Sequence, residues 1–349
     1  MTYIICGNVY TISIFYISTT FACFRFDSTP TPNQKKYAYL CPLLKQEMTN
    51  NNILKGVFLV GFGATSYGML ATFVKLAYAD KGSTGLPFTP AEVISSQFVL
   101  GILAILIINA IGKAKKGATV TKASSREIIQ LMVAGTSTGL TSIFYYLAVM
   151  YIPVSIGIVL LMQTVWMGVL LEMLLEKKLP SRIKVIAVAV VLFGTALATN
   201  LLNNDTQLDW HGIVLGLLAA ASFTTTMFTA NRIAVGISSA QRSLYMLLGG
   251  AIMVFFFVIA TQTTAFNYDI FYKWGILLAL FGTVIPPMLM NAGFPLTGIG
   301  LGSIVSALEL PVSVLMAYFI LDETVVPVQW LGIVLIILAI VMMNIRMKK

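Results

Sequence analysis

One acidic residue lies in the middle of a long apolar segment, where its chemistry has consequences. Glu309 belongs to a stripe of small and polar residues at helical spacing, formed with Gly302, Ser306 and Ser313. Ionisable groups are costly in the hydrocarbon core of a bilayer and usually serve a function there. We therefore predict that Glu309 binds a proton or a substrate. The alternative is a permanently protonated glutamate that joins two helices by a hydrogen bond.

A lysine ends a second stripe, which runs through Gly61, Thr65, Gly68 and Thr72 to Lys75. Its ammonium group can meet an anionic group of a substrate, or Glu309. It can also extend to the outer membrane interface, as lysines near the end of a span often do. The sequence leaves both interpretations open.

Further polar and aromatic residues lie at the depth expected of a central cavity. Helix packing, or an aromatic position at the interface, is the alternative for each of them. They are Gln163, Trp166, Tyr145, Tyr146 and Asn291. The pair Pro286-Pro287 predicts a bend or break in its helix, and broken helices border the sites of many repeat transporters.

The sequence gives little support for catalysis, nucleotide binding or metal binding. Residues 135–139 match Gly-x-Ser-x-Gly, but that motif needs a strand–turn–helix context and a histidine, and the one histidine is the distant His211. A Gly-x-x-x-x-Gly-Lys phosphate loop does not occur. The cysteines Cys6, Cys23 and Cys41 lack metal-ligand spacing. We expect no enzyme, no metal site and no cofactor.

The composition indicates an integral membrane protein. Hydrophobic residues make up 58% of the 349 residues and charged residues 10%, whereas soluble domains carry roughly 25% charged residues. The mean hydropathy is +0.89. The net charge of +9 forms no basic patch with interleaved aromatics, so we expect no nucleic-acid partner.

The apolar segments predict ten membrane spans, because a span needs about 20 apolar residues. They are 53–78, 91–111, 128–150, 154–175, 183–202, 212–233, 243–260, 274–290, 299–320 and 328–345. If the residues before Ile53 are cytoplasmic, nearly all basic loop residues lie on the cytoplasmic side, as the positive-inside rule requires. The basic residues on that side include Lys113, Lys122, Arg126, Lys177, Lys178, Arg182, Lys184, Arg232, Arg242 and Arg346.

A repeated pattern divides these spans into two groups. Leu161, Glu176 and Pro180 recur at a constant shift as Leu308, Glu323 and Pro327, while the positive charge around the first copy is absent from the second. Five spans in each half would place the copies in opposite orientations, the arrangement of inverted-repeat transporters. We predict repeats at 48–202 and 203–349.

The first 47 residues differ in kind from the rest. An apolar segment at 3–24 precedes its positive charge, whereas a secretory signal carries the charge first. We predict that residues 1–47 are an N-terminal extension that arises from a mis-assigned start, with Met48 the natural first residue. The alternative is a working membrane anchor.

Several stretches resemble the EamA-like branch of the drug/metabolite transporter superfamily. They are residues 61–75, Tyr145-Tyr146-Leu147-Ala148, Leu175-Glu176 with Pro180, and 307–311 with Asp322-Glu323. The resemblance implies ten helices, a central cavity and transport of small metabolites, often by export. Gln97 stands where members of that family often carry an arginine, which argues against an anionic substrate bound by that arginine.

Together these patterns predict an all-α polytopic membrane protein of ten transmembrane helices in two inverted five-helix repeats. We expect a secondary transporter of a small metabolite or drug-like solute, working by alternating access with a proton as the candidate coupling ion. A nucleotide-sugar or sugar-phosphate exchanger and a non-transporting scaffold or receptor are the alternatives. The expected partners are a small-molecule substrate, protons and the lipid bilayer; the sequence leaves a homodimer open. We expect a bacterial plasma (inner) membrane location with both termini cytoplasmic.

Overall fold

The computed structural model describes residues 32–83, 85–116, 121–152, 154–199, 209–322 and 324–346, and it places most of their side chains from residue 51 onward. Contacts divide the chain into Met1–Leu54 and Lys55–Lys349, and the candidate site lies wholly in the second unit. The apolar segment 3–24 is outside the described residues, as are Glu323 and residues 200–208. The prediction for the start of the chain is therefore not tested.

All regular elements within the described ranges are helical, and these ranges contain no β-strand. Helices suit this sequence because lipid cannot satisfy backbone N–H and C=O groups, so each spanning segment must pair its own. In chain order the helices are α1 (Pro32–Ala79), α2 (Pro90–Lys116), α3 (Ser125–Tyr151), α4 (Val154–Leu161), α5 (Thr164–Glu176), α6 (Arg182–Ala198), α7 (Trp210–Arg232), α8 (Ser239–Thr261), α9 (Ile276–Ala279), α10 (Ile285–Thr297), α11 (Ile299–Ser306), α12 (Glu309–Ile320) and α13 (Pro327–Arg346).

The predicted all-α membrane architecture is confirmed. In the described part of the chain, 8 helical regions are long and apolar enough to cross a membrane, and Pro327–Met343 adds a shorter apolar helix. Helix α6, with 17 residues, coincides with the fifth predicted span. Each predicted span thus overlaps a helical region.

Short polar sequences begin several of the helices. Ser124 precedes α3 and forms a capping box, in which its hydroxyl accepts from the Glu127 N–H and the Glu127 carboxylate accepts from the Ser124 N–H. Ser181 and Ser238 cap α6 and α8 in the same way with one hydrogen bond each. These caps fix where the turns end and the spans begin.

Two spans that the sequence predicts as continuous are interrupted near their centres. The segment between α4 and α5 turns at Met162–Gln163, where the Gln163 N–H reaches the Leu160 carbonyl at 3.0 Å. The Gln163 side-chain amide, rather than its backbone N–H, donates a hydrogen bond to the Val159 carbonyl, at 3.0 Å. An amide side chain that takes a backbone carbonyl competes with the helical ladder at that point.

The matching interruption lies between α11 and α12. Pro311 has no N–H to donate to the Ala307 carbonyl, so the Leu310 N–H takes that carbonyl at 3.3 Å. The preceding Ala307 N–H binds the Ile304 carbonyl at 3.2 Å, which is again a tightened turn. Glu309 therefore begins a new helix rather than continuing an old one.

The region Phe271–Thr297 forms one long apolar helical segment that contains two π-helical turns, Phe271–Gly275 and Leu280–Val284. The prolines of the predicted break, Pro286 and Pro287, lie in the first turn of α10, where a missing N–H is tolerated. The π turn before them absorbs the distortion. The span thus extends beyond its predicted end at residue 290.

Helices from the first part of the chain pack against helices from the second part. Helix α3 packs against α7 and α8, while the region Phe271–Thr297 packs against α2 and, through glycines, against α1. A Cβ atom at Gly56 would lie 2.7 Å from the Leu296 Cβ. Helix α5 also packs on α11, and α6 on α13. The repeats at 48–202 and 203–349 stay a prediction.

Candidate solute-binding cavity

The described helix ends divide into two groups by charge. We call the end that carries Asp80, Asp209, Asp269 and Asp322 the acidic end, and the opposite end, with Lys122, Arg126, Lys177, Lys178, Arg182, Lys184 and Arg232, the basic end. Lys81 and Lys273 are also at the acidic end. Successive helical regions run from one end to the other, so the position of a residue in its helix gives its depth in the bundle.

A cavity of about 160 Å³ lies in the half of the bundle toward the acidic end; we call it the main cavity. Its wall combines aromatic rings, hydroxyl and amide groups, one carboxyl and one amine. The lining residues include Tyr67, Lys75, Tyr78, Gln97, Phe98, Thr138, Thr141, Ser142, Tyr145, Tyr146, Phe223, Thr226, Thr283, Glu309 and Ser313.

The structure brings together a majority of the residues that the sequence singles out. Five of them line the main cavity, namely Glu309, Lys75, Tyr145, Tyr146 and Ser313. Asn291 lines a separate cavity of about 20 Å³, which we call the small cavity. The substrate and proton roles of these residues stay predictions.

Three of the predicted residues line neither cavity. The Trp166 indole N–H donates to the Gln163 side chain at 2.9 Å, and the tryptophan is 37% exposed at the surface of the bundle. The Ser306 hydroxyl is buried and donates to the Gly302 carbonyl of its own helix at 2.9 Å. The substrate or proton roles of Gln163, Trp166 and Ser306 stay predictions.

Glu309 reaches the main cavity because α1 comes unusually close to the turn that precedes α12. A Cβ atom at Gly68 would collide with the Glu309 carbonyl oxygen and lie 2.8 Å from the Val312 Cβ. Only a glycine permits this approach without moving one of the helices. The Glu309 side chain then points along the cavity wall formed by α1 and α3.

Several buried polar atoms of the wall have no hydrogen-bond partner among the described residues. They are Tyr78 Oη, Gln97 Oε1, Thr138 Oγ1 and Glu309 Oε2. Buried polar atoms are nearly always hydrogen-bonded in native proteins. Atoms of this kind that face a cavity are therefore available to a bound solute or to water.

Aromatic contacts build one side of the main cavity. Tyr146 stands edge-to-face with Tyr78 and with Tyr145, with ring centroids 6.3 Å apart in each pair. Tyr67 and Phe223 form another edge-to-face pair at 5.9 Å and 88°. Such a wall packs well against a flat apolar group, while its phenol oxygens offer hydrogen bonds.

Sequence reasoning missed Tyr67, Thr138, Thr226 and Phe223 as cavity residues. A signal for one group exists, because Thr138, Thr141, Ser142 and Tyr145 recur on α3 at helical spacing. Tyr67 carries no comparable signal, since it lies one residue before Gly68 in a helix rich in small residues.

An ion pair joins two helices at the basic end. The Lys184 ammonium on α6 contacts the Glu172 carboxylate on α5, and both side chains are largely buried, with exposures of 22% and 14%. The carboxylate rests against the backbone of Gly298 and Gly300, where α11 begins. Three helices are therefore held together at this end.

Arg242, which the sequence assigns to a cytoplasmic loop, instead lies in the first turn of α8 and is 2% exposed. Its guanidinium donates to the carbonyls of Thr229, Ala230 and Ile233 at the end of α7, and to the carbonyl of Asn291 in α10. The end of a helix leaves such carbonyls unpaired, and a cation satisfies them well. The burial of Arg242 could not be predicted from the sequence, because it depends on carbonyls of other helices, such as that of Asn291.

The acidic end has a network of its own. The Asp80 carboxylate accepts from the Gly82 N–H at 3.0 Å, from the Trp274 indole at 3.0 Å and from Lys273 at 3.2 Å. These hydrogen bonds, led by that from Gly82, lower the pKa of Asp80. Hydrogen bonds from the Ser83 side chain and from the Ser83 N–H, the latter at 2.7 Å, lower the pKa of Asp269.

Comparison with known proteins agrees with this architecture. A search of curated proteins gave no match. A solved structure described as "Crystal structure of protein" superposes with a TM-score of 0.66 over 84% of this chain and 97% of its own length, at 14% identity. That likeness shows a shared fold. Residues 210–345 match the model of the EamA-like transporter family, and the family resemblance predicted from the sequence is thereby confirmed.

Proposed function

We propose that this chain is a secondary transporter that moves a small amphipathic solute across the membrane by alternating access. The observation that carries the proposal is the main cavity, whose aromatic wall contains four buried polar atoms without partners among the described residues. The similarity of residues 210–345 to the EamA-like transporter family supports the same class of function.

The solute best suited to this cavity combines an apolar or aromatic part with hydrogen-bond donors. Rings of Tyr145, Tyr146 and Phe98 offer apolar contact. Gln97 Oε1 and Glu309 Oε2 have no partner among the described residues, and each can accept a hydrogen bond from a donor group. Lys75 is an exposed residue at the margin of the same cavity.

A nucleotide-sugar or sugar-phosphate exchanger is the weaker candidate. Phosphate groups call for several cations at the site, and Lys75 is the one basic side chain among the described lining residues. A scaffold or receptor that does not transport would leave the cavity and its unpartnered polar atoms without a purpose.

Glu309 is the proposed proton carrier. It is the one acidic side chain among the described residues that line the main cavity. A carboxyl group that can exchange its proton with the solute, or with water from either side, would couple transport to a proton gradient. We further propose a plasma (inner) membrane location, with the basic end facing the cytoplasm.

An untargeted comparison of metabolites inside and outside cells tests the transport function. Cells that express the protein should differ from cells without it in at least one small solute. Thr141→Trp should abolish the difference, because it fills the main cavity. Val133→Trp is the matched control, since Val133 lies on the same helix and is 65% exposed outside the bundle. Identical metabolite profiles with and without the protein would refute transport.

A further inference from the structure

The main cavity and the small cavity are separated by a shared wall. Tyr67, Thr138, Phe223 and Thr226 line both of them. The edge-to-face contact between Tyr67 and Phe223, at 5.9 Å and 88°, is part of this wall. We call these four residues the partition.

The small cavity lies on the basic side of the partition. It is lined by residues near the end of α7, such as Met227 and Ala230, and near the start of α8, such as Ser243. It also touches Asn291 and Phe294 in the second half of α10. All three helices reach the basic end at those positions, so the two cavities follow one another along the bundle.

A buried polar atom marks the small cavity as more than a packing defect. Asn291 is 3% exposed, and its amide nitrogen donates to the Ser243 hydroxyl at 2.9 Å, which fixes the orientation of the side chain. Its Oδ1 atom has no partner among the described residues. A space of about 20 Å³ is enough for roughly one water molecule.

Beyond the small cavity the basic end is tightly bonded. Asn231 donates to the Phe294 carbonyl at 2.6 Å, and Arg242 binds carbonyls of α7 and α10. The larger space therefore lies on the acidic side of the partition, and a smaller polar space lies on the basic side.

We infer that the partition is the gate of the transport route. The small cavity, with Asn291 Oδ1 as its acceptor, is the space that the solute enters next, and its present size of about 20 Å³ must increase when the gate opens. This inference rests on the proposed transport function. Opening the gate requires Tyr67 and Phe223 to separate, since their rings close the shared wall. The passing solute would offer Asn291 a hydrogen-bond donor in place of water.

Thiol labelling tests the gate without knowledge of the solute. In a full-length protein with Cys6, Cys23 and Cys41 replaced by serine, Ser243→Cys reports on the small cavity and Ser313→Cys on the main cavity. The probe is a small, membrane-impermeant methanethiosulfonate with a trimethylammonium group, applied to one face of the membrane at a time. We expect Ser313→Cys to react from the face at the acidic end, and Ser243→Cys to react from that face much more slowly.

Removal of one ring should open the passage. We expect Phe223→Ala to accelerate labelling of Ser243→Cys from the acidic face by about tenfold. Tyr67→Ala should act in the same direction, and it replaces Phe223→Ala if that variant does not fold. Phe98→Ala is the matched control, since Phe98 lines the main cavity but not the small cavity and is also buried, with 2% exposure against 6% for Phe223.

Two results would overturn the inference. One is labelling of Ser243→Cys that is as fast with both rings present as without Phe223. The other is equal acceleration by Phe98→Ala, which would indicate general loosening. Labelling does not depend on the metabolite comparison, so a protein that passes the labelling test and transports nothing would refute the proposed function and leave the partition in place.

Discussion

Lys184 and Glu172 form an ion pair that joins α6 to α5 at the basic end, with the start of α11 packed directly against the carboxylate. The pair is shielded from solvent on the side of Gly298 and Gly300, where a Cβ atom at Gly300 would collide with a Glu172 carboxylate oxygen. The pairing ties helices together at the end of the bundle that lies away from the main cavity.

Loss of one partner of this pair should destabilise the protein. Lys184→Gln leaves a largely buried carboxylate without its cation, which costs about 1–3 kcal/mol. We expect a lower Tm of the purified protein in detergent, with partial recovery in the double variant Glu172→Gln/Lys184→Gln. Lys178→Gln is the control, since Lys178 is exposed in the neighbouring turn. An additive double variant would show that the two residues do not interact.

Gly68→Ala should also lower stability, by about 1–3 kcal/mol. The added Cβ atom would collide with the Glu309 carbonyl oxygen, which belongs to backbone and cannot rotate away. The control is Gly112→Ala, because a Cβ atom at Gly112 has nothing within 4 Å. Thermal unfolding of both variants measures the difference, and equal Tm values would contradict the close approach of α1 to α12.

Acid should weaken the network at the acidic end. The folded state lowers the pKa of Asp80, so the carboxylate contributes its stability above the unfolded pKa of about 3.9. That contribution is lost as the pH falls through the lower, folded pKa. We expect the Tm of the wild type to fall more steeply below about pH 4 than that of Asp80→Asn.

Asp322→Asn is the control for this pH series. Asp322 is exposed and has a φ of 52°, a conformation that asparagine also adopts readily. Its substitution should leave the pH profile unchanged. Parallel profiles for the wild type and Asp80→Asn would show that Asp80 contributes nothing through its charge.

Glu309→Gln should abolish transport driven by a pH gradient while the protein stays folded. Glutamine has nearly the same shape and still forms hydrogen bonds, but it cannot release a proton. Transport of the solute found in the metabolite comparison is measured in vesicles with an imposed gradient, alongside protein level and Tm. Glu176→Gln, at the exposed end of α5, is the control. Gradient-driven transport at the wild-type rate would exclude Glu309 as the carrier.

Orientation in the membrane is open to a direct test. We expect Thr263→Cys, in the exposed turn after α8, to react with an impermeant thiol reagent on intact cells. Lys178→Cys should react only after the membrane is permeabilised. The reverse pattern would place the basic end outside the cell.

Hydropathy and charge predicted the spans well, since long apolar segments have few alternatives to a membrane helix. The stripes of small and polar residues drew attention to Glu309 and Lys75, since lipid does not accept polar faces, and both residues line the main cavity. The depth of a residue within its span depends only on the neighbouring sequence, so sequence patterns predict it.

The missed features depend on contacts across the sequence. The burial of Arg242 arises from carbonyls in α7 and α10, and the partition from rings on α1 and α7. No pattern within one helix indicates which neighbour it will meet. The interruption near Glu309 has a local cause in Pro311, which lacks an N–H. The turn after Leu161 depends instead on a single glutamine side chain that binds its own backbone.

The two-residue turns between α4 and α5 and between α11 and α12 have a mechanical consequence. Each turn already interrupts the hydrogen-bond ladder of its span, so a tilt of one half-helix does not have to strain the other half. A turn of this kind near the centre of a span is a candidate hinge. The basic halves, α5 and α11, carry the Glu172 contact, whereas Glu309 belongs to α12 on the other side of its hinge. The closure at one end of the protein is therefore mechanically separable from the carboxyl group that faces the main cavity.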